Sequence, residues 1–146
     1  RNRRMKRNMI SIIFTLMMLS NCVDPPEYND GLLENIPAIV NETDFFSLAL
    51  KGEKITSEES WDLSMIPDSN AILHTTLRVD YTGKASDSSF INLMTESDTV
   101  LMAFLVSSSG SVIFDDTLAQ WTKYPQKVTF NANAFSGSLD YQIIKK

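Results

Sequence analysis

Few side chains in this chain have the types and spacing that catalysis requires. His74 is the only histidine and Cys22 the only cysteine. Nucleophilic catalysis needs a nucleophile next to an activating base, and no G-x-S-x-G motif supplies one. The serine-rich residues 107–111 are typical of a turn. His74 lies among alternating polar and apolar residues, which favours an ordinary surface histidine. The sequence therefore predicts a protein that is not an enzyme.

Two doublets of carboxylates, Glu58-Glu59 and Asp115-Asp116, are the remaining candidates for acid–base or metal chemistry. Glycoside hydrolysis needs two carboxyl groups about 5–10 Å apart, but adjacent residues of a strand point to opposite faces. Asp115 and Asp116 are also calcium candidates, although no D-x-D-x-D loop accompanies them. Zinc lacks ligands. We expect no metal and no cofactor, and an envelope hydrolase using Asp115 or Asp116 is the last of the alternatives.

The first residues have the layout of an export signal. Residues 1–7 carry five basic side chains and no acidic one, and residues 9–19 (MISIIFTLMML) are mostly apolar. As a helix this run would reach about 16 Å, against about 30 Å for the hydrocarbon core of a membrane. That length is typical of a signal peptide and too short for a transmembrane helix.

Leu19-Ser20-Asn21-Cys22 follows the apolar run. These residues resemble the lipobox of bacterial lipoproteins, in which an aliphatic and two small residues precede the acylated cysteine. Asn21 departs from the usual Gly or Ala. A lone cysteine cannot form an internal disulfide, and a free thiol is a liability in an oxidising compartment. The resemblance implies cleavage before Cys22 and a lipid anchor on it in the cell envelope, with the outer membrane as the expected location. The alternative is an uncleaved anchor with a free thiol.

The rest of the chain divides into a tether and one domain. Residues 22–35 are predicted to be the lipidated cysteine and a flexible tether, in which Pro25-Pro26 favours an extended conformation. Residues 36–146 are predicted to be the folded domain. Removal of residues 1–21 leaves eight basic against 18 acidic residues, a net charge of −10. Because so acidic a chain has little attraction for nucleic acid, we expect membrane contact through the lipid alone and no nucleic-acid partner.

The pattern from residue 44 onward is typical of short strands separated by turns. The predicted strands span residues 44–50, 60–66, 70–82, 89–95, 99–106, 111–116, 127–135 and 138–145. Seven or eight such strands predict an all-β fold, namely a single antiparallel β-sandwich of jelly-roll or immunoglobulin-like type, or a small barrel. Residues 99–106 (TVLMAFLV) are nearly all apolar, which predicts a central strand buried on both faces.

Residues 60–83 (SWDLSMIPDSNAILHTTLRVDYTG) resemble a stretch near the C-terminus of the large A subunits of Tc insecticidal toxin complexes. There, a Trp-x-Leu-x-Leu strand precedes an Ile-Leu-His-x-x-x-Arg-Tyr-Thr strand in a β-sandwich region. The matching residues are Trp61, Leu63, Ile72, Leu73, His74, Tyr81 and Thr82. The spacing between the two strands is shorter here, and Arg78 is displaced. The resemblance implies a β-sandwich and does not extend to toxin activity.

Trp121 and Tyr124 are the residues expected to contact a ligand. They lie in a polar stretch, residues 117–124, that favours a helical turn, and their i, i+3 spacing would bring them together on it. Trp61 is expected in the core. The sequence thus predicts a non-enzymatic, lipid-anchored envelope protein whose β-sandwich binds a protein partner or a glycan. The alternative is a structural subunit of an envelope or toxin-like assembly that binds through a sheet edge.

Overall fold

The computed structural model describes residues 31–66, 68–120 and 123–146. Gly31–Lys146 form one compact unit. The strands are β1 (Ala38–Asn41), β2 (Phe45–Asp62), β3 (Ile72–Tyr81), β4 (Phe90–Met94), β5 (Val100–Leu105), β6 (Gly110–Thr117) and β7 (Lys127–Lys145). All seven pair antiparallel, which confirms the predicted all-β fold. In the described part of the chain, no helix has the length and apolar character needed to cross a membrane.

The strands form a sandwich because two long strands fold over. The sheet order is β1-β2-β7-β3-β6, and β4 and β5 continue from the other half of β7. Phe46 and Trp61 lie at opposite ends of β2, which would place them about 50 Å apart in a straight strand. Their ring centroids are only 6.4 Å apart. β2 therefore bends back so that its two halves contribute to opposite layers of one core.

The bends are built into the backbone at irregular positions. The register of β2 against β7 shifts between Gly52 and Ile55 and again before Ser57. Such β-bulges bend a strand and increase its twist. On β7, Gly137 has φ 136°, and a Cβ there would meet the carbonyl oxygen of Asp80. Only glycine fits this position, so it allows β3 to approach β7 at the bend.

The core lies between the two layers. Alternate residues of β2, β3 and β7 point into it, as the period-2 pattern predicts. Its largest fully buried side chains are Tyr141, Phe46, Phe130, Phe135, Leu48, Leu50, Leu73, Ile91, Leu93, Leu118, Ile143 and Val106. Trp61 packs half-buried against this cluster, in agreement with its predicted place in the core. The helical turn expected near residue 117 is a single turn of 3-10 helix, Leu118–Gln120.

Two predictions about strand layout are wrong. Residues 99–106 do not form a central strand buried on both faces, since β4 is the single strand among the described residues that pairs with β5, which therefore lies at an edge. Its apolar residues point both ways, and Val100 and Leu105 are 50% and 52% exposed. Moreover, the polar residues 51–54 and the pair Ser136-Gly137 are bends within β2 and β7 where the sequence predicts turns between separate strands.

Candidate functional site

His74 and Asp115 form a cross-strand pair that the sequence analysis missed. The two residues face each other in the register of β3 and β6, and His74 Nδ1 lies 2.6 Å from Asp115 Oδ1. Leu118 N donates to Ala71 O, so these two residues form a hydrogen-bonded pair. Because hydrogen-bonded and non-hydrogen-bonded pairs alternate along β3 and β6, His74–Asp115 is a non-hydrogen-bonded pair, in which side chains come closest. No hydroxyl or thiol nucleophile among the described residues bonds to His74, so the pair lacks the third member of a triad.

Asp115 and Asp116 do not converge on a common ion. Asp115 lies on the outer face with His74, whereas Asp116 is paired with the buried Leu73 on the inner face. One carboxylate oxygen of Asp116 is buried without a hydrogen-bond partner among the described residues. No group of three potential metal ligands occurs in the described chain. Because they point to opposite faces, the two carboxylates do not bind one ion together, and calcium binding by either residue stays a hypothesis.

The predicted lipidation and ligand-contact residues are only partly placed. Cys22 and Trp121 lie outside the described residues. Tyr124 is half-buried against the core, and it borders a shallow groove with Thr95, Glu96 and Gln126. Close by, the hydrogen bond to Asp98 raises the pKa of the Lys127 ammonium. A ligand contact by Trp121 and Tyr124 stays a prediction.

The edge strand β5 exposes apolar side chains and carries no charged residue. From Val100 to Leu105 its sequence is VLMAFL, without a charge, a proline or a glycine. Leu105 is 52% exposed, and its cross-strand neighbour Phe90 on β4 is 37% exposed. Natural proteins usually protect edge strands with charges, proline or short length. β5 has no charge and no proline, and its one irregularity is the register shift against β4 between Leu93 and Met94.

Hydrogen-bond alternation shows which backbone groups of β5 point away from its described neighbour β4. Val106 N donates to Ser89 O at 2.9 Å. Hydrogen-bonded and non-hydrogen-bonded pairs alternate along an antiparallel ladder. Phe104 therefore bonds to β4, whereas Ala103 and Leu105 direct their N–H and C=O groups away from it. These outward groups can pair with one further strand.

The other edges in the described chain are β1, β6 and the second half of β2, which carries Glu58 and Glu59. β6 pairs with a single described neighbour and exposes Val112 and Ile113 (41% and 70%), but it carries Asp115 and Asp116. β1 has only four residues. The side chain of its last residue, Asn41, donates to Asp62 O (2.7 Å) and accepts from Ser64 N (2.8 Å). Among the described edges, β5 is thus uncharged and longer than the four-residue β1, which suits it to accept a strand from outside.

Comparison with known proteins gives little functional information. No protein-family model and no curated protein matches the chain. Its structure is similar to a Bacillus endospore appendage protein, of a novel family of disulfide-linked pili, with a TM-score of 0.38 and 13% sequence identity over 80% of this chain and 95% of that chain. The resemblances of residues 19–22 and 60–83 to lipoproteins and Tc toxins stay predictions.

Proposed function

We propose that this chain is a lipid-anchored, non-enzymatic protein of the bacterial envelope that binds a partner protein by accepting a strand of the partner on β5. The observation that carries the proposal is an uncharged edge strand whose backbone groups at Ala103 and Leu105 have no strand partner among the described residues. In strand addition, main-chain hydrogen bonds supply affinity, and pockets for alternate side chains supply specificity.

The occupant is an extended apolar segment of a different protein. The exposed side chains of Leu105, Phe90 and Val100 favour apolar neighbours on the added strand. A second copy of the chain is disfavoured because each mature copy would carry a net charge of −10, and like charges repel at low salt. Basic residues beside the partner's strand would complement the acidic surface of this protein.

The anchor supports this function by fixing the location of the domain. Lipid on Cys22 would hold the sandwich at the membrane surface, with residues 22–35 as the tether that the sequence predicts. A partner held at the same membrane would then meet this protein in two dimensions, which raises the effective concentration of one for the other.

Site-specific cross-linking in the native envelope tests the proposal. A photoreactive amino acid replaces Leu105, whose side chain is exposed beside the free edge. Irradiation should give one dominant cross-linked protein. The same residue at Ala38, on the edge strand β1, is the matched control and should not capture that partner.

A second substitution shows whether the backbone of β5 makes the contact. Ala103→Pro removes an outward N–H and leaves the pairing with β4 intact, because proline is tolerated at such edge positions. It should abolish the cross-link from position 105, while Ala103→Ser should preserve it. Equal capture with Ala103→Pro would contradict strand addition. A product of twice the chain's own mass would contradict the proposed occupant and favour a self-assembling structural subunit.

A further inference from the structure

A cavity of about 450 Å³ lies where the bends of β2 and β7 meet the segment after β3. Glu53, Lys54, Lys84, Asp87 and Ser136 line it. Its volume is within the range of about 300–1,000 Å³ that is usual for small-molecule sites. No residue of β5 contributes to it, so the cavity is separate from the strand-binding edge.

The cavity is bordered by strained backbone. Lys54 and Ala134 both line it, and both have left-handed φ angles, 52° and 50°. Such angles are uncommon for residues other than glycine, and they cluster at ligand sites. Side chains hold both residues in place: Lys54 N donates to Ser136 Oγ at 2.9 Å, and Ala134 N donates to Thr56 Oγ1 at 3.0 Å. The walls at both bends are therefore fixed before any ligand arrives.

The charged groups around the cavity are balanced. Two carboxylates, Glu53 and Asp87, face two ammonium groups, Lys54 and Lys84, and none of the four forms an ion pair with another described residue. A net anion would meet the carboxylates, and a net cation would meet the lysines. The balance disfavours a ligand with a net charge, whereas a ligand with many hydroxyl groups can bond to the carboxylates and the ammonium groups alike.

We propose that this cavity binds an uncharged saccharide. Each sugar hydroxyl both donates and accepts hydrogen bonds, so carboxylates, ammonium groups and the Ser136 hydroxyl can all serve as partners. Apolar atoms form most of the cavity wall, which suits the C–H face of a sugar ring. The proposal does not depend on strand binding at β5.

Calorimetric titration of the full-length chain in detergent micelles tests the inference. The probes are oligomers of glucose and of N-acetylglucosamine, with oligomers of galacturonic acid and of glucosamine as charged counterparts. An uncharged oligomer should bind. Glu53→Gln and Asp87→Asn should each lower its affinity at least fivefold, because each replaces a charged acceptor of sugar hydroxyls with a neutral, weaker one.

The control is Glu58→Gln, an exposed carboxylate of β2 that lies outside the cavity and should leave affinity unchanged. Thermal unfolding of each variant shows that the fold is kept. Lys84 is exposed and lines the cavity, so Lys84→Met should also weaken binding of the uncharged oligomer. Binding of charged oligomers alone, no binding of any uncharged oligomer, or equal affinity in Glu53→Gln and Glu58→Gln would overturn the proposal. Ala103→Pro should not change saccharide affinity, so the outcome of the saccharide titration is independent of the cross-linking test of strand binding at β5.

Discussion

Tyr141 has a hydroxyl group that the fold buries without a described partner. Its side chain is fully buried between Phe46 and Phe104, and the Oη atom makes no hydrogen bond to a described residue. Burial raises the pKa of this phenol well above its ordinary value of 10.0. The aromatic ring contributes to the core, whereas the unsatisfied hydroxyl costs about 1–3 kcal/mol of desolvation.

Tyr141→Phe should therefore raise the free energy of unfolding by about 1 kcal/mol at pH 7. The effect should grow with alkalinity. Because the folded-state pKa lies above the unfolded value, the unfolded chain releases the proton first, and the wild-type protein loses stability above about pH 10. Urea denaturation at pH 7 and at about pH 11 measures both effects. A loss of more than about 1 kcal/mol at pH 7 would show that the hydroxyl has a partner.

Side-chain chemistry was predictable only where it depends on local spacing. The opposite orientation of Asp115 and Asp116 follows from strand alternation alone, and the structure has it. The contact of His74 with Asp115 joins residues 41 positions apart. It depends on the register of β3 against β6, which no local pattern in either segment specifies.

The bends of β2 and β7 are the irregular elements on which the sandwich depends. Ala134, with φ 50°, occupies a left-handed conformation that costs about 1–2 kcal/mol for an alanine. Glycine would relieve that strain but loses about 0.5–1 kcal/mol more conformational entropy on folding. The two effects leave a small net gain for glycine.

Ala134→Gly should thus stabilise the protein by about 0.5 kcal/mol. Ala134→Val should destabilise it by more than about 1 kcal/mol, because a β-branched side chain suits this conformation least. Chemical denaturation of the pair of variants measures the difference. If Ala134→Gly lowers the free energy of unfolding by about 1 kcal/mol or more and Ala134→Val leaves it unchanged, residue 134 does not have a left-handed conformation in the folded protein.

Strands were easier to predict than their places in the sheet. The alternation in residues 70–82 was sufficient for β3, which spans Ile72–Tyr81. For β5, apolar residues on both faces predicted a central strand, but an edge strand with an exposed apolar face has the same composition. Likewise, residues 51–54 are polar whether they form a turn or a bend inside β2. Long-range pairing decides between these options.

At the scale of the whole molecule, the proposed function combines an anchor with an open edge. The anchor predicts that Cys22→Ala leaves the protein unprocessed and unlabelled by radioactive fatty acid, since no other cysteine can be acylated. Metabolic labelling and gel mobility measure this. Labelling that persists in Cys22→Ala would contradict lipid attachment at that residue, and Asn21→Ala is the matched control that should keep both processing and label.

Hydrogen exchange of the β5 amides, in the complex recovered with its partner and in the free protein, tests strand addition most directly. In the free protein, the amides of Ala103 and Leu105 should exchange quickly, while those of Met102 and Phe104 are protected by β4. In the complex, all four should be protected, because the partner's strand accepts the outward hydrogen bonds. Continued fast exchange at Ala103 and Leu105 in the complex would contradict the account.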